Sequence, residues 1–85
     1  MMSKVKKQIH VHYYALLREE RGVSQETLET RAQRASDFYD ELKQKYHFKL
    51  SKNILKVAIN NAFADWNQEL KSGDTIIFIP PVAGG

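Results

Sequence analysis

The apolar positions between Lys7 and Tyr14 fall on every second residue. Ile9, Val11 and Tyr13 point one way and Gln8, His10, His12 and Tyr14 the other, the period of a half-buried β-strand. Ala15 to Arg21 holds good helix formers and stops at Gly22, which predicts a short helical turn. Val23 to Thr30, built around Glu26-Thr27-Leu28-Glu29-Thr30, is polar and β-branched enough for a second strand at a sheet edge. The period then changes. Phe38, Leu42 and Tyr46 recur every four residues with Tyr39 beside them, giving the apolar face of a helix that starts at an N-cap, Ser36, and ends near His47. Asp37, Asp40 and Glu41 lie early in it and Lys43 and Lys45 late, as the helix dipole favours. Leu55, Val57 and Ile59 alternate again as a third strand. Asn60-Asn61 fits a tight hairpin turn into a short fourth strand, Ala62 to Trp66. Lys71-Ser72-Gly73-Asp74 is a turn, and Thr75 to Ile79 is the last strand.

The order strand, strand, helix, strand, strand, strand predicts an α+β protein, one mixed sheet packed on one face by one main helix. A ubiquitin-like β-grasp meets that description, with the domain over residues 1–79 and a flexible, extended tail over 80–85. The last strand breaks the expected pattern. A sheet covered on one face should be polar on the other, yet Ile76 and Phe78 face one side and Ile77 and Ile79 the other. A central position in the sheet accounts for part of this. A partner protein over the open face accounts for the rest, with Tyr14 and Phe63 joining Ile79 in an apolar patch.

Composition narrows the chemistry. With 85 residues the chain is one domain, and its 42% hydrophobic and 27% charged content is ordinary for a globular protein. There is no cysteine, which excludes disulfides and any chemistry on a protein thiol. The formal charge is +3, and lysines cluster at Lys4, Lys6 and Lys7 and again from Lys43 to Lys56. Acidic residues intersperse with them, so a solvated surface is favoured over nucleic-acid binding. No stretch approaches the ~20 apolar residues of a membrane span and nothing resembles a signal peptide, so the expectation is a cytoplasmic protein with no membrane partner. His10 and His12 share a strand face, but two ligands without a third make no metal site, and none is expected. No phosphate-binding Gly loop is present, so this chain binds no cofactor itself and any ATP is used by a separate protein.

The most informative segment is the end, Pro80-Pro81-Val82-Ala83-Gly84-Gly85. Six residues extended reach ~20 Å, and the two prolines favour an extended path that loses little freedom on insertion. Gly84 and Gly85 lack Cβ and permit close backbone approach. These are the properties of a peptide threaded into a narrow enzyme pocket. A carboxylate is a poor electrophile, but joining it to AMP gives an acyl-adenylate with a good leaving group. A sulfur donor can then replace AMP and leave a thiocarboxylate; an amine can instead attack and give a protein conjugate. The terminal residues alone leave both outcomes open.

The ending Phe78-Ile79-Pro80-Pro81-Val82-Ala83-Gly84-Gly85 resembles that of the small subunits of molybdopterin synthase. Matching features recur upstream at Tyr13-Tyr14-Ala15, Arg18-Glu19, Gly22, Val57-Ala58-Ile59-Asn60-Asn61 and Leu70-Lys71-Ser72-Gly73-Asp74, so the likeness spans nearly the whole chain. It implies a β-grasp sulfur carrier whose Gly85 carboxylate is adenylated by an E1-like enzyme using ATP and then sulfurated by a sulfur donor protein to a thiocarboxylate. The loaded tail, Pro80, Pro81, Val82, Ala83 and Gly84, would insert into the synthase large subunit, which supplies the catalytic residues. Sulfur would pass to cyclic pyranopterin monophosphate in molybdenum cofactor biosynthesis. The resemblance further implies a heterotetramer and assigns Tyr14, Phe63 and Ile79 to the partner interface. The alternatives are a sulfur carrier for thiamine or tRNA thiolation, or a ubiquitin-like protein modifier. The basic charge departs from the acidic character of many such subunits, as does the polar stretch from Thr30 to Ser36.

Overall fold

The computed structural model describes residues 6–81. Strand β1 (Lys7–His12) leads into helix α1 (Ala15–Arg21), then strand β2 (Gln25–Thr30) and helix α2 (Ala35–Tyr46). A single 3-10 turn (Lys52–Ile54) precedes β3 (Lys56–Ile59), β4 (Ala62–Ala64) and β5 (Thr75–Ile79). The five strands form one mixed sheet in the order β2-β1-β5-β3-β4. β5 lies in the middle, parallel to β1 and antiparallel to β3, while β1–β2 and β3–β4 are antiparallel hairpin-type pairs. This is the ubiquitin-like β-grasp that the element order predicts, with β2 at the expected edge.

Register separates the two faces. Ile9, Val11, Val57, Ile76 and Phe78 turn to the side covered by α2, where Ala35, Phe38, Tyr39 and Leu42 are buried against them. Phe78 is the hub of an aromatic cluster. Its ring centroid lies 5.0 Å from Tyr39, 6.0 Å from Trp66 in a stacked pair, and 6.3 Å from Phe38. A fully buried Phe at such a hub costs about 3–5 kcal/mol when cut to Ala. The strand that leads to the tail is therefore held by ladders on both sides and by aromatic packing beneath.

Three local expectations need correction. Ser36 is not the N-cap of α2. That place is taken by Arg34, with no side-chain cap, because the backbone N–H groups of Ala35 and Ser36 donate to the carbonyls of Gln68 and Trp66. The helix start is tied down by a neighbouring loop, and Ser36 Oγ accepts from Lys52 Nζ at 2.5 Å. The fourth strand stops at Ala64, not Trp66, since Trp66 turns inward to stack on Phe78. The second strand begins at Gln25, two residues later than the pattern suggested. The helix dipole pattern holds: Asp37 occupies the first turn of α2 and Lys43 and Lys45 the last, with Lys43 Nζ donating to the Phe48 carbonyl. His47 ends the helix in the left-handed region at φ 60°.

Candidate functional site

The tail begins where β5 stops. Lys56↔Ile79 is the last register pair on the β3 side, whereas on the β1 side pairing ends at His12↔Ile77. Pro80 follows, and a residue without an N–H cannot extend the ladder. Pro80 is half-buried and Pro81 exposed. Val82, Ala83, Gly84 and Gly85 lie outside the described residues, so the tail over 80–85 is an expectation beyond its root.

Around that root the open face of the sheet is divided. Reading across the strands, one row runs Gln25, His12, Ile77, Ala58 and Phe63. The next row carries Ile79 and Lys56. The half made by β5, β3 and β4 is apolar apart from Lys56 and Thr75; the half made by β1 and β2 is polar. Phe63 stands 76% exposed and Tyr14 47% exposed, both large for a free surface. Ile77 and Ile79 are half-buried. Tyr14 follows β1 two residues after its last pair with β5, at the N-cap of α1. The structure thus brings Phe63 and Ile79 onto one face, while Tyr14 lies exposed just beyond the end of β1. Ile77 and Ala58, which complete the row to Phe63, were not singled out as site residues. The signal was present: Ile77 shares its face with Ile79, but Ala58 needs the β3–β5 register, which no local pattern gives.

Local chemistry explains the presentation of each side chain. Asn60 and Asn61 adopt φ 54° and 72°, the paired left-handed values of a tight hairpin turn, and so place β4 hard against β3. Asn60 also accepts from the Thr75 N–H through Oδ1 at 2.9 Å and donates through Nδ2 to Asp74 at 2.9 Å, locking the hairpin tip to the start of β5. At the other end, Ala15 takes φ 52°, a left-handed value that turns the chain sharply out of β1 just after Tyr14. That turn is braced beneath by Tyr13, whose hydroxyl donates to Glu26 at 2.7 Å. Arg21 grips the same carboxylate with two bonds of 2.7 Å, and its guanidinium lies 4.2 Å from the centre of the Tyr46 ring. Burial would raise the Glu26 carboxyl, but the hydrogen bonds from Arg21 and Tyr13 and the charge of Arg21 outweigh it and hold it below the usual carboxylate range. Burial, followed by the bond to Glu26, pushes the Tyr13 phenol up. Tyr39, buried under the sheet, has its phenol pushed up to about 12, by desolvation first and by Glu20 and Asp40 second.

A cleft of about 440 Å³ opens beside β4, with Lys56, Phe63, Asp65 and Trp66 in its walls. It is continuous with the apolar half of the face through Phe63 and Lys56. Among the described residues no group of three or more His, Asp or Glu side chains is placed to hold a metal ion. No helix among them is long and apolar enough to cross a membrane. Among the described residues this face carries an exposed apolar patch beside the root of the tail.

The ThiS family model matches residues 11–85 of the sequence. The chain belongs to the ThiS family. It is 36% identical over 80 residues to the molybdopterin synthase sulfur carrier subunit of Haemophilus influenzae, covering 91% of this chain and 99% of the relative. Among solved structures, a Pyrococcus furiosus protein named for subunit 1 of molybdopterin converting factor superposes with a TM-score of 0.72 at 28% identity, over 89% of this chain and 99% of that one. A chain of the complex between subunits 1 and 2 of the molybdopterin-converting factor from Helicobacter pylori does so with a TM-score of 0.62 at 26% identity, over 92% of this chain and 99% of that one. The family assignment and the β-grasp fold agree with what the sequence ending and the element order imply.

Proposed function

We propose that this ThiS-family chain is the sulfur carrier subunit of a molybdopterin synthase and acts with a larger second subunit. The observation that carries the reading is the placement of β5. This strand is buried by Phe78 below, paired on both sides, and ends at Ile79 beside an exposed apolar face. The likeness to the Haemophilus influenzae sulfur carrier subunit supports the choice of pathway, and the Helicobacter pylori complex supports a two-subunit assembly.

In this reading the carboxylate of Gly85 attacks the α-phosphate of ATP on a separate activating enzyme, forming an acyl-adenylate and releasing pyrophosphate. A sulfur donor protein supplies sulfur to the acyl carbon, AMP leaves, and a thiocarboxylate remains. The face bearing Phe63, Ile77 and Ile79, together with Tyr14, docks on the second subunit. Pro80 to Gly84 thread into that subunit and bring the sulfur to cyclic pyranopterin monophosphate. The chain supplies the sulfur and its delivery; the catalytic side chains belong to the larger subunit. Removal of Gly84 and Gly85 tests this. The shortened chain should still bind the second subunit through the sheet face, yet fail to restore molybdoenzyme activity in cells lacking the full chain. Restored activity would refute the reading.

A further inference from the structure

The polar half of the open face carries a second device. His10 and His12 occupy alternate positions of β1 with ring centroids 5.1 Å apart, edge to face. His10 is fixed by β2: Nδ1 lies 2.9 Å from Thr27 Oγ1 and Nε2 lies 3.0 Å from Gln25 Oε1. His12 has no such hydrogen-bond partner among the described residues, and its register neighbours are Gln25 on one side and Ile77 on the other. It therefore stands at the border between the two halves. Adjacent strands lie about 4.8 Å apart, so a protein that covers Ile77 also covers His12.

The charges around this pair are sparse. From β2 it is faced by Gln25 and Thr27, from β5 by Thr75 and Ile77, and from its own strand by the other imidazole. Glu29 lies further along β2, 3.9 Å from Lys6. The Asp74 carboxylate, at the start of β5, is engaged by Asn60 Nδ2 and by the Lys71 N–H. Lys56 lies on the far side of Ile79 on the same face, and Tyr14 follows two residues after His12. Among the described residues no carboxylate on this half of the face is paired with His12, and two cations at this ring separation repel.

We infer that the histidine pair forms the rim of the docking face and makes docking proton-linked, with His12 entering the interface as a neutral imidazole. This rests on the docking reading above and names how that same surface is regulated. Histidine is the side chain that changes charge between pH 5 and 8. Covering a charged imidazole against Ile77 without a counter-ion is unfavourable, so protonation before docking must be reversed. Binding then releases a proton and weakens as the solution becomes more acid.

The test is calorimetric titration of the second synthase subunit with the full-length chain at pH 6, 7 and 8, for wild type and for the double variant His10→Gln/His12→Gln. In the wild type the dissociation constant should rise on the acid side, approaching about tenfold per pH unit for one linked proton. Any pH dependence from the second subunit itself is common to both proteins, so the expected result is a shallower slope in the variant. Titration of the His12 ring signals in the complex gives a second readout, and the ring should stay neutral at pH 6 when docked. Equal slopes in the two proteins, or tighter binding at low pH that requires His12, overturns the inference while leaving docking intact. Absence of wild-type binding at every pH overturns docking itself.

Discussion

Replacing Phe63 by Ala separates folding from docking. Phe63 lies in β4 opposite Ala58 and is 76% exposed, so it contributes little to the core beneath the sheet. A Phe side chain offers about 200 Å² of contact surface, of which roughly 150 Å² remains open here. At ~25 cal/mol per Å², covering that surface contributes at most ~4 kcal/mol, and aromatic anchors at interfaces commonly cost 2 kcal/mol or more on truncation, about a thirtyfold loss of affinity. Phe63→Ala should therefore keep its unfolding free energy in urea within about 0.5 kcal/mol of wild type while weakening binding to the second synthase subunit by at least roughly thirtyfold. Both are measured on the same purified protein, by denaturation and by calorimetric titration. A large loss of stability would show that Phe63 belongs to the fold. Unchanged affinity would show that the partner does not use this face.

Further outcomes follow from the supporting geometry. Glu26→Gln should lower the thermal midpoint at neutral pH, the loss of stability being about 1–3 kcal/mol for a part-buried charged hydrogen-bond network. Because the Glu26 carboxyl is held below its ordinary value, its contribution is complete above about pH 4.5 and fades as pH falls through the depressed value, so wild-type and variant midpoints should converge in acid; a constant gap would contradict the network. Gly22→Ala should cost about 1–2 kcal/mol in urea denaturation, since Gly22 sits at φ 88° with open space around it and the penalty is conformational alone. Asn60→Ala, which removes both side-chain bonds to the start of β5, should destabilise by about 2 kcal/mol, and Asn61→Gly should be neutral or stabilising. Tyr39 should resist ionisation in an ultraviolet titration until pH is about 12, and its contribution to stability should fall as pH rises above 10 toward that value.

Much of this architecture is written in local pattern. Ile9, Val11 and Tyr13 declare their face by alternation, and Phe38, Leu42 and the buried Tyr39 by helical spacing. Gly22 and His47 end their helices in the left-handed conformation that favours stops. The Asn60-Asn61 turn and the central place of β5 were likewise legible, since a strand apolar on both faces from Ile76 to Ile79 fits the middle of a one-helix sheet. What failed was settled by distant partners. Arg34 rather than Ser36 starts α2 because loop residues Trp66 and Gln68 supply the carbonyls. Trp66 leaves the strand to stack on Phe78, a contact between residues distant in sequence. The Tyr13–Glu26–Arg21 network joins the end of β1, the end of α1 and the start of β2, and no spacing rule encodes it. The His12–Ile77–Ala58–Phe63 row exists only once the register of four strands is known. The chemistry of the tail rests on the resemblance carried by its Pro80–Gly85 ending, whose last four residues lie outside the described ones.

That chemistry is tested most directly by the intact mass of the chain purified from its own cells, followed by fragmentation of its C-terminal peptide. The account predicts a fraction in which one oxygen is replaced by sulfur, with the change confined to the Gly85 carboxyl group. A terminus that remains an ordinary carboxylate in cells actively making molybdenum cofactor would contradict it.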